Sequence, residues 1–229
     1  MTILAHLTCP WYSLFMHYLL FLVFLLGCSG YRYGHPDNPL SQYGINSLSV
    51  PMFYNYSNLP AVGPEFTQQT YLQLMSFSGL KLNNGYSNNT DAVLLGIIRS
   101  PEKLTETLRA GSIRVAKSKA PDAIGDKRQA FYIPGNTRVI LYLQVVLIRK
   151  PTEEEISLFH TEISPQIPLS SRVILNEMIP LSDSFVREVM DREGTQVIAT
   201  QNSGILRKKV KSMAESAAET IRDLILYAF

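Results

Sequence analysis

Runs of apolar residues along the chain predict the strands of a sheet. Between Leu48 and Met52 apolar residues alternate with others, as in a half-buried strand, and Pro51 favours a strand end or an edge because proline has no N–H to donate. The unbroken apolar run 92–98 has the length of a central strand covered on at least one face. Residues 137–148 are rich in β-branched and aromatic side chains and predict a strand in the middle of the sheet. Shorter segments predict two further strands, at residues 80–82 and 172–180.

Apolar residues at helical spacing predict two amphipathic helices. The first covers residues 65–77 and ends before Gly79. The second covers residues 206–228, where apolar residues recur at intervals of three or four positions. Four basic residues fall in the predicted first turn of the second helix, where positive charge opposes the helix dipole: Arg207, Lys208, Lys209 and Lys211. The order of elements predicts an α/β fold, a two-layer sandwich whose mixed four- or five-stranded sheet carries two helices on one face.

The remaining long segment, residues 101–135, lacks apolar periodicity and is predicted to be a partly helical, basic connection. Residues 99–150 hold eleven Lys/Arg against four Asp/Glu, whereas residues 151–193 hold three against nine. This asymmetry has two interpretations, either solvated loops of opposite sign or a cationic surface for an anionic partner.

An apolar run near the N-terminus predicts a cleaved leader. Residues 14–26 are apolar except for His17, and these 13 residues are fewer than the roughly 20 that a membrane-spanning helix needs. The sequence Leu-Leu-Gly-Cys at 25–28 matches the bacterial lipobox, in which the cysteine is acylated and becomes the first residue of the mature protein. We therefore predict a signal peptide at residues 1–27, a lipidated tether at 28–44 and a single domain at 45–229.

Two alternatives remain open for this N-terminal region. Residues 1–13 contain no Lys or Arg, which is atypical of a signal peptide and favours Cys28 as an ordinary buried cysteine at the end of a short membrane anchor. If Cys28 is lipidated, the protein is anchored to a membrane without spanning it. By resemblance to lipoprotein sorting in bacteria with two membranes, Ser29 in place of Asp implies the outer membrane, with the domain on the periplasmic side. The mature chain would have one cysteine, so no intramolecular disulfide is expected.

The sequence contains no catalytic or metal-binding motif that we recognise, and we predict neither an enzyme nor a cofactor or metal site. After residue 27 the chain has two histidines, His35 and His160, and no clustered set of zinc ligands. The acidic run Glu153, Glu154 and Glu155 is expected to be a solvated loop, because consecutive side chains point in different directions. A periplasmic hydrolase is the alternative from another class, and it would require His160 or a buried carboxylate in a cleft.

The chain resembles the family of the lipopolysaccharide-assembly lipoprotein LptE. The resemblance lies in Cys-Ser-Gly-Tyr at 28–31, in SLSVPMFYN at 47–55, in Asp-Ala-Val-Leu at 91–94, and in the positions of the 137–148 strand and the C-terminal helix. The family implies a non-enzymatic plug in the lumen of the outer-membrane β-barrel LptD, which helps that barrel to assemble and contacts lipopolysaccharide. It implies no nucleic-acid partner.

Basic residues of the 101–135 segment are our candidates for contact with the anionic glycolipid, since phosphate is abundant at the outer membrane: Lys117, Lys119, Lys127 and Arg128. Other functions stay open beside this one. They are a different outer-membrane lipoprotein, such as a pilotin or an envelope-assembly factor, and a domain anchored to the inner membrane.

Overall fold

A computed structural model describes residues 37–87, 89–116, 130–160, 172–188 and 195–227. Within these ranges the strands are β1 (Ser47–Val50), β2 (Tyr54–Tyr56), β3 (Lys81–Asn84), β4 (Ala92–Arg99), β5 (Leu108–Ala116), β6 (Ala130–Arg149) and β7 (Val173–Val186). The α-helices are α1 (Val62–Leu74), α2 (Leu104–Thr107), α3 (Glu153–His160) and α4 (Thr195–Tyr227). The predicted α/β class is confirmed.

The strands form one mixed sheet organised around β6. β1 is parallel to β3 and to β4, β2 is parallel to β4, and β6 is antiparallel to β4, β5 and β7. β7 pairs with residues 136–148 of β6, while β4 pairs with 142–149 and β5 with 130–139. Because a strand has only two edges, β4 and β5 must share the edge opposite β7, one after the other.

Helices α1 and α4 cover one side of this sheet, which we call the helix face. Phe66 of α1, Ala217 of α4 and Leu141 of β6 are fully buried in one core. Along β6, alternate residues from Val139 to Leu147 point into this core, as the period of two requires. On the second face, five buried side chains form another apolar cluster: Val93, Leu95, Ile97, Val146 and Ile148. β4 is therefore buried on both faces, in agreement with its unbroken apolar sequence.

The sheet has seven strands where we predicted four or five, and one added strand comes from the segment that was predicted wrongly. The described residues of 101–135 contain one short helix, α2, but most of them form β5 and the first residues of β6, which are two antiparallel strands. The described side chains of β5 from Arg109 to Arg114 are exposed on both faces, so neither face needs apolar residues. The strand consequently has no hydrophobic period to reveal it.

Three other boundaries differ from the predictions. α4 begins at Thr195, so the four basic residues after Leu206 lie inside the helix and not in its first turn, and the dipole penalty does not apply. The acidic run at 153–155 opens α3 instead of a loop, because Thr152 and Glu155 cap each other's backbone N–H at 3.2 and 2.9 Å. In the predicted tether, Leu40 is fully buried within a short 3-10 helix, Pro39–Tyr43.

Phe53 joins the helix face of the sheet to α1. Its ring lies against Gly96 of β4, where an added Cβ would overlap three ring atoms, and its carbonyl oxygen lies so close to Gly63 that a Cβ there would be 2.6 Å away. The Phe53 N–H donates to Thr67 Oγ1 at 2.8 Å. The two glycines thus let strand, ring and helix approach one another more closely than any side chain would allow.

Replacing Gly96 by alanine should destabilise the fold, because the new methyl group has no room beside the Phe53 ring. We expect the free energy of unfolding in urea to fall by about 1–3 kcal/mol, the cost of overpacking a core. Gly204→Ala is the matched control, since Gly204 lies inside α4 with no atom near its missing Cβ and should gain up to about 1 kcal/mol from helix propensity. Equal stability of Gly96→Ala and the unmodified protein would contradict this packing.

Candidate anion-binding surface

The residues predicted to carry function, Cys28 and the basic residues Lys117, Lys119, Lys127 and Arg128, lie outside the described residues. The structure does describe both strands that the segment 117–129 joins. Ala116 and Ala130 are direct cross-strand partners on β5 and β6. The basic segment therefore starts and ends at one point of the sheet, and the strands leading to it are the place to look for a binding surface.

Three arginines lie on the second face of the sheet, one each on β4, β5 and β6. Arg109 of β5 is directly opposite Arg138 of β6, and Arg99 of β4 is directly opposite Tyr142 of β6. Arg138 and Tyr142 are four residues apart, without a bulge between them, so their side chains point to the same face. We call Arg99, Arg109, Arg138 and Tyr142 the arginine face.

The charges on this face are unbalanced. Arg109 and Arg138 are both exposed, and like charges directly opposite each other on neighbouring strands are destabilising by a few tenths of a kcal/mol to about 1 kcal/mol. Within the described ranges, no carboxylate forms an ion pair with any of the three arginines. Arg138 instead donates through Nη2 to the hydroxyl of Ser182 at 3.0 Å.

The carboxylates of the neighbouring strand β7 point away from the arginine face. Asp183 is opposite Val139, and Glu177 is opposite Val145, so both lie on the side of the sheet that carries the helices. There Asp183 forms an ion pair with Lys209 of α4 at 3.1 Å. The alternation of the strands thus places these two carboxylates on the face opposite Arg99, Arg109 and Arg138.

Two tyrosines of β2 lie near the arginine face. Tyr56 of β2 is the direct neighbour of Arg99, and Tyr54 packs against the apolar cluster of the second face. Burial, and secondarily the nearby Tyr56, raises the pKa of Tyr54 above its usual value. A raised pKa keeps the phenol protonated at physiological pH, so Tyr54 adds no negative charge next to the guanidinium groups.

This arrangement fits the chemistry of phosphate recognition. Each guanidinium presents a planar set of donors that match two phosphate oxygens. Residues directly opposite on antiparallel strands have Cβ atoms about 5 Å apart, so one phosphate group can contact Arg109 and Arg138 together. Binding an anion there would also relieve the repulsion between them.

Sequence reasoning predicted a basic surface in this region but missed the opposed arginines. Their juxtaposition depends on the register of β5 against β6, which brings together residues 29 positions apart. The signal available in the sequence was the nearly symmetric placement of Arg109 and Arg138 about the segment 117–129. Once that segment is recognised as the connection of a hairpin, the pairing follows.

The described residues also bear on membrane-spanning, metal-binding and acid–base sites. None of their helices combines the length and apolar content needed to cross a membrane, and they contain no cluster of three potential metal-binding side chains. No described carboxylate is among the buried polar residues. His160 belongs to α3, but its side chain lies outside the description.

Comparisons with known proteins leave the function to be argued from these residues. No family model and no curated protein matches the chain. Solved structures with some similarity include rare lipoprotein B from Shewanella oneidensis, with 13% identity, a TM-score of 0.34 and coverage of 80% of this chain and 92% of that one. Lipoprotein B from Nitrosomonas europaea has 8% identity, a TM-score of 0.39 and coverage of 84% and 86%. The minor lipoprotein from Acinetobacter baumannii has 14% identity and a TM-score of 0.32, with coverage of 78% of this chain and 92% of that one. TM-scores below 0.5 carry no argument about fold or function.

The repulsion between the opposed arginines predicts a salt-dependent gain of stability when one is removed. Arg109→Gln should raise the free energy of unfolding by a few tenths of a kcal/mol to about 1 kcal/mol at about 0.01 M salt, and by much less at about 1 M salt, where the Debye length is about 3 Å. Urea unfolding at the two salt concentrations measures both values.

Lys103→Gln is the control for this measurement, because Lys103 is exposed and lies 4.0 Å from the carboxylate of Glu106. Its removal should give no gain at low salt. A loss of stability in Arg109→Gln at low salt would show that the two guanidinium groups do not repel each other in the folded protein.

Proposed function

We propose that the chain is an outer-membrane lipoprotein, anchored through an acylated Cys28 on the periplasmic side, that occupies the lumen of an LptD-type β-barrel, helps it to assemble and contacts lipopolysaccharide during its passage to the outer leaflet. The observation that carries the lipopolysaccharide contact is the opposed pair Arg109 and Arg138, exposed on one face of the sheet. The anchor rests on the lipobox at 25–28, and the barrel partner on the resemblance to the LptE family.

The arginine pair and the basic segment belong to one continuous stretch of chain. Arg109 precedes the segment 117–129 on β5, Arg138 follows it on β6, and the four predicted contact residues, Lys117, Lys119, Lys127 and Arg128, lie between them. A glycolipid with several phosphate groups would meet positive charge along this whole stretch. Multiple weak electrostatic contacts suit a ligand that must bind and then move on.

A role without catalysis agrees with the charge of this surface. Arginine is permanently protonated, so it binds anions but does not transfer protons at physiological pH. Exposed apolar side chains on β7, Met178 at 49% and Val186 at 73% of their full exposure, add surface for a protein partner. Both lie on the same face as the arginines.

A pilotin or another envelope-assembly lipoprotein is the second candidate, because it would share the anchor and the sandwich. The identity of the protein that co-purifies with the chain distinguishes these two candidate functions. The protein should be purified through a C-terminal tag from mildly solubilised outer membranes, with mass analysis of the N-terminal peptide and of the co-eluting proteins. We expect a triacylated Cys28 and a large β-barrel partner.

Cys28→Ala is the control for this purification, since it removes the acylation site and should leave the protein outside the outer-membrane fraction. An unprocessed leader at residues 1–27 would contradict the lipid anchor. An acylated protein that co-purifies with a secretion complex and no LptD-type barrel would favour a pilotin.

A further inference from the structure

A polar cavity of about 460 Å³ lies where the connection between β3 and β4 meets the end of β6. Its polar lining comes from both walls: Tyr86, Ser87, Asn89, Thr90, Asp91 and Lys150. The N–H of Lys150 donates to the carbonyl oxygen of Asp91 at 2.9 Å, which holds the two walls together. Along an extended strand, Lys150 lies about 40 Å from Arg138, and the lining residue Val93 lies about 20 Å from Arg99, so the cavity is separate from the arginine face.

Asp91 places a fixed negative charge in this cavity. Its Oδ2 accepts hydrogen bonds from the N–H groups of Asn46 and Ser47, both at 3.0 Å, and from the Ser47 hydroxyl at 2.8 Å. These bonds, the Ser47 hydroxyl first, lower the pKa of Asp91, and the positive charge of Lys150 adds to the effect. Among the described residues no donor binds the other carboxylate oxygen, which leaves Oδ1 available as an acceptor.

Lys150 contributes a positive charge from a strained position. Its φ of +43° lies in the left-handed region, which is rare for a residue with a side chain. Such backbone conformations cost free energy and are concentrated at functional sites. Within the described part of the chain, no carboxylate lies within ion-pair distance of its ammonium group.

A buried hydroxyl without a hydrogen-bond partner lies on β1, next to the strand that contributes Val93 to the cavity. Ser49 is fully buried, yet its Oγ has no hydrogen-bond partner, a condition that costs about 1–3 kcal/mol. Ser49 is the direct cross-strand neighbour of Val93, and Val93 lines the cavity. Neighbours in a parallel ladder point to the same face of the sheet.

We propose that this cavity binds the vicinal hydroxyl groups of one saccharide ring. Each sugar hydroxyl both donates and accepts a hydrogen bond, so it requires alternating acceptors and donors. The free oxygen of Asp91 accepts, the ammonium of Lys150 donates, and the amide of Asn89 does both. A phosphate would be repelled by the Asp91 carboxylate, which makes the cavity complementary to neutral hydroxyls and unlike the arginine face.

The cavity volume of about 460 Å³ is also appropriate, since pockets for small molecules measure about 300–1,000 Å³.

The saccharide site does not rest on the proposed lipopolysaccharide contact of Arg109 and Arg138. Binding of free sugars at the cavity and binding of phosphates at the arginine face are separate measurements, and either can fail without the other.

The test is saturation-transfer NMR on the detergent-solubilised chain with a panel of methyl glycosides, methyl α-D-mannoside and methyl α-D-glucoside among them, and with inorganic phosphate as competitor. Lys150→Asn removes the ammonium group while keeping a residue that tolerates a positive φ, and Asn89→Ala removes the amide. Lys103→Gln is the matched control on a distant exposed site.

We expect at least one glycoside to bind and phosphate not to displace it. Lys150→Asn should raise its dissociation constant about tenfold or more, the effect of losing one hydrogen bond to a charged group, and Asn89→Ala should raise it about two- to tenfold, the effect of losing one neutral hydrogen bond. Lys103→Gln should leave the dissociation constant unchanged. The proposal is overturned if no glycoside gives saturation transfer, if phosphate displaces the glycoside, or if Lys103→Gln weakens binding as much as Lys150→Asn.

Discussion

The antiparallel pairing of β6 with three other strands is the interaction on which the rest of the structure depends. β6 is 20 residues long and pairs with β7 along one edge and with β5 and β4 in succession along the other. Its C-terminal part is buried on both faces and belongs to the core. Its N-terminal part pairs with β5 and carries Arg138 opposite Arg109 on the second face, while Thr137 and Val139 on either side of Arg138 are buried on the helix face. One strand thus supplies both stability and the rigid base of the proposed binding surface.

Because successive side chains of a strand point to opposite faces, several acidic and basic residues lie on different faces of the sheet. On β7 the acidic residues face the helices, where Asp183 pairs with Lys209, while Arg99, Arg109 and Arg138 lie on the second face. The opposed pair Arg109 and Arg138 is unfavourable in the isolated protein. If an anion binds there as proposed, its charge would relieve this repulsion, so the pair would add to the affinity for phosphate at a small cost in the stability of the unbound protein.

The parts of the fold that bury apolar side chains could be predicted from the sequence. β4 and the second half of β6 were evident because their residues are apolar at almost every position, and α1 was evident from Phe66, Thr70 and Leu74 at helical spacing. β5 was missed because its outer residues face solvent on both sides. The first turns of α4 were missed because residues 195–204 are mostly polar and include Gly204.

For the candidate sites, the sequence predicted only that the region around residues 99–150 is positively charged. The excess of basic residues over 99–150 was visible in the sequence, but the opposition of Arg109 and Arg138 depends on pairing between distant residues, which no local pattern encodes. The cavity depends on a similar long-range contact, between Lys150 and Asp91. A register shift of one residue would move every arginine of a strand to the other face.

The most direct test of the account compares two double variants of equal charge for binding to purified lipopolysaccharide. Arg109→Gln with Arg138→Gln removes the opposed pair, while Lys208→Gln with Lys211→Gln removes two exposed positive charges from α4. We expect the first pair of changes to weaken binding about 10- to 100-fold, as loss of charge-assisted hydrogen bonds predicts, and the second to have little effect. An equal loss in both variants, or no loss in the first, would contradict a specific role of the arginine face.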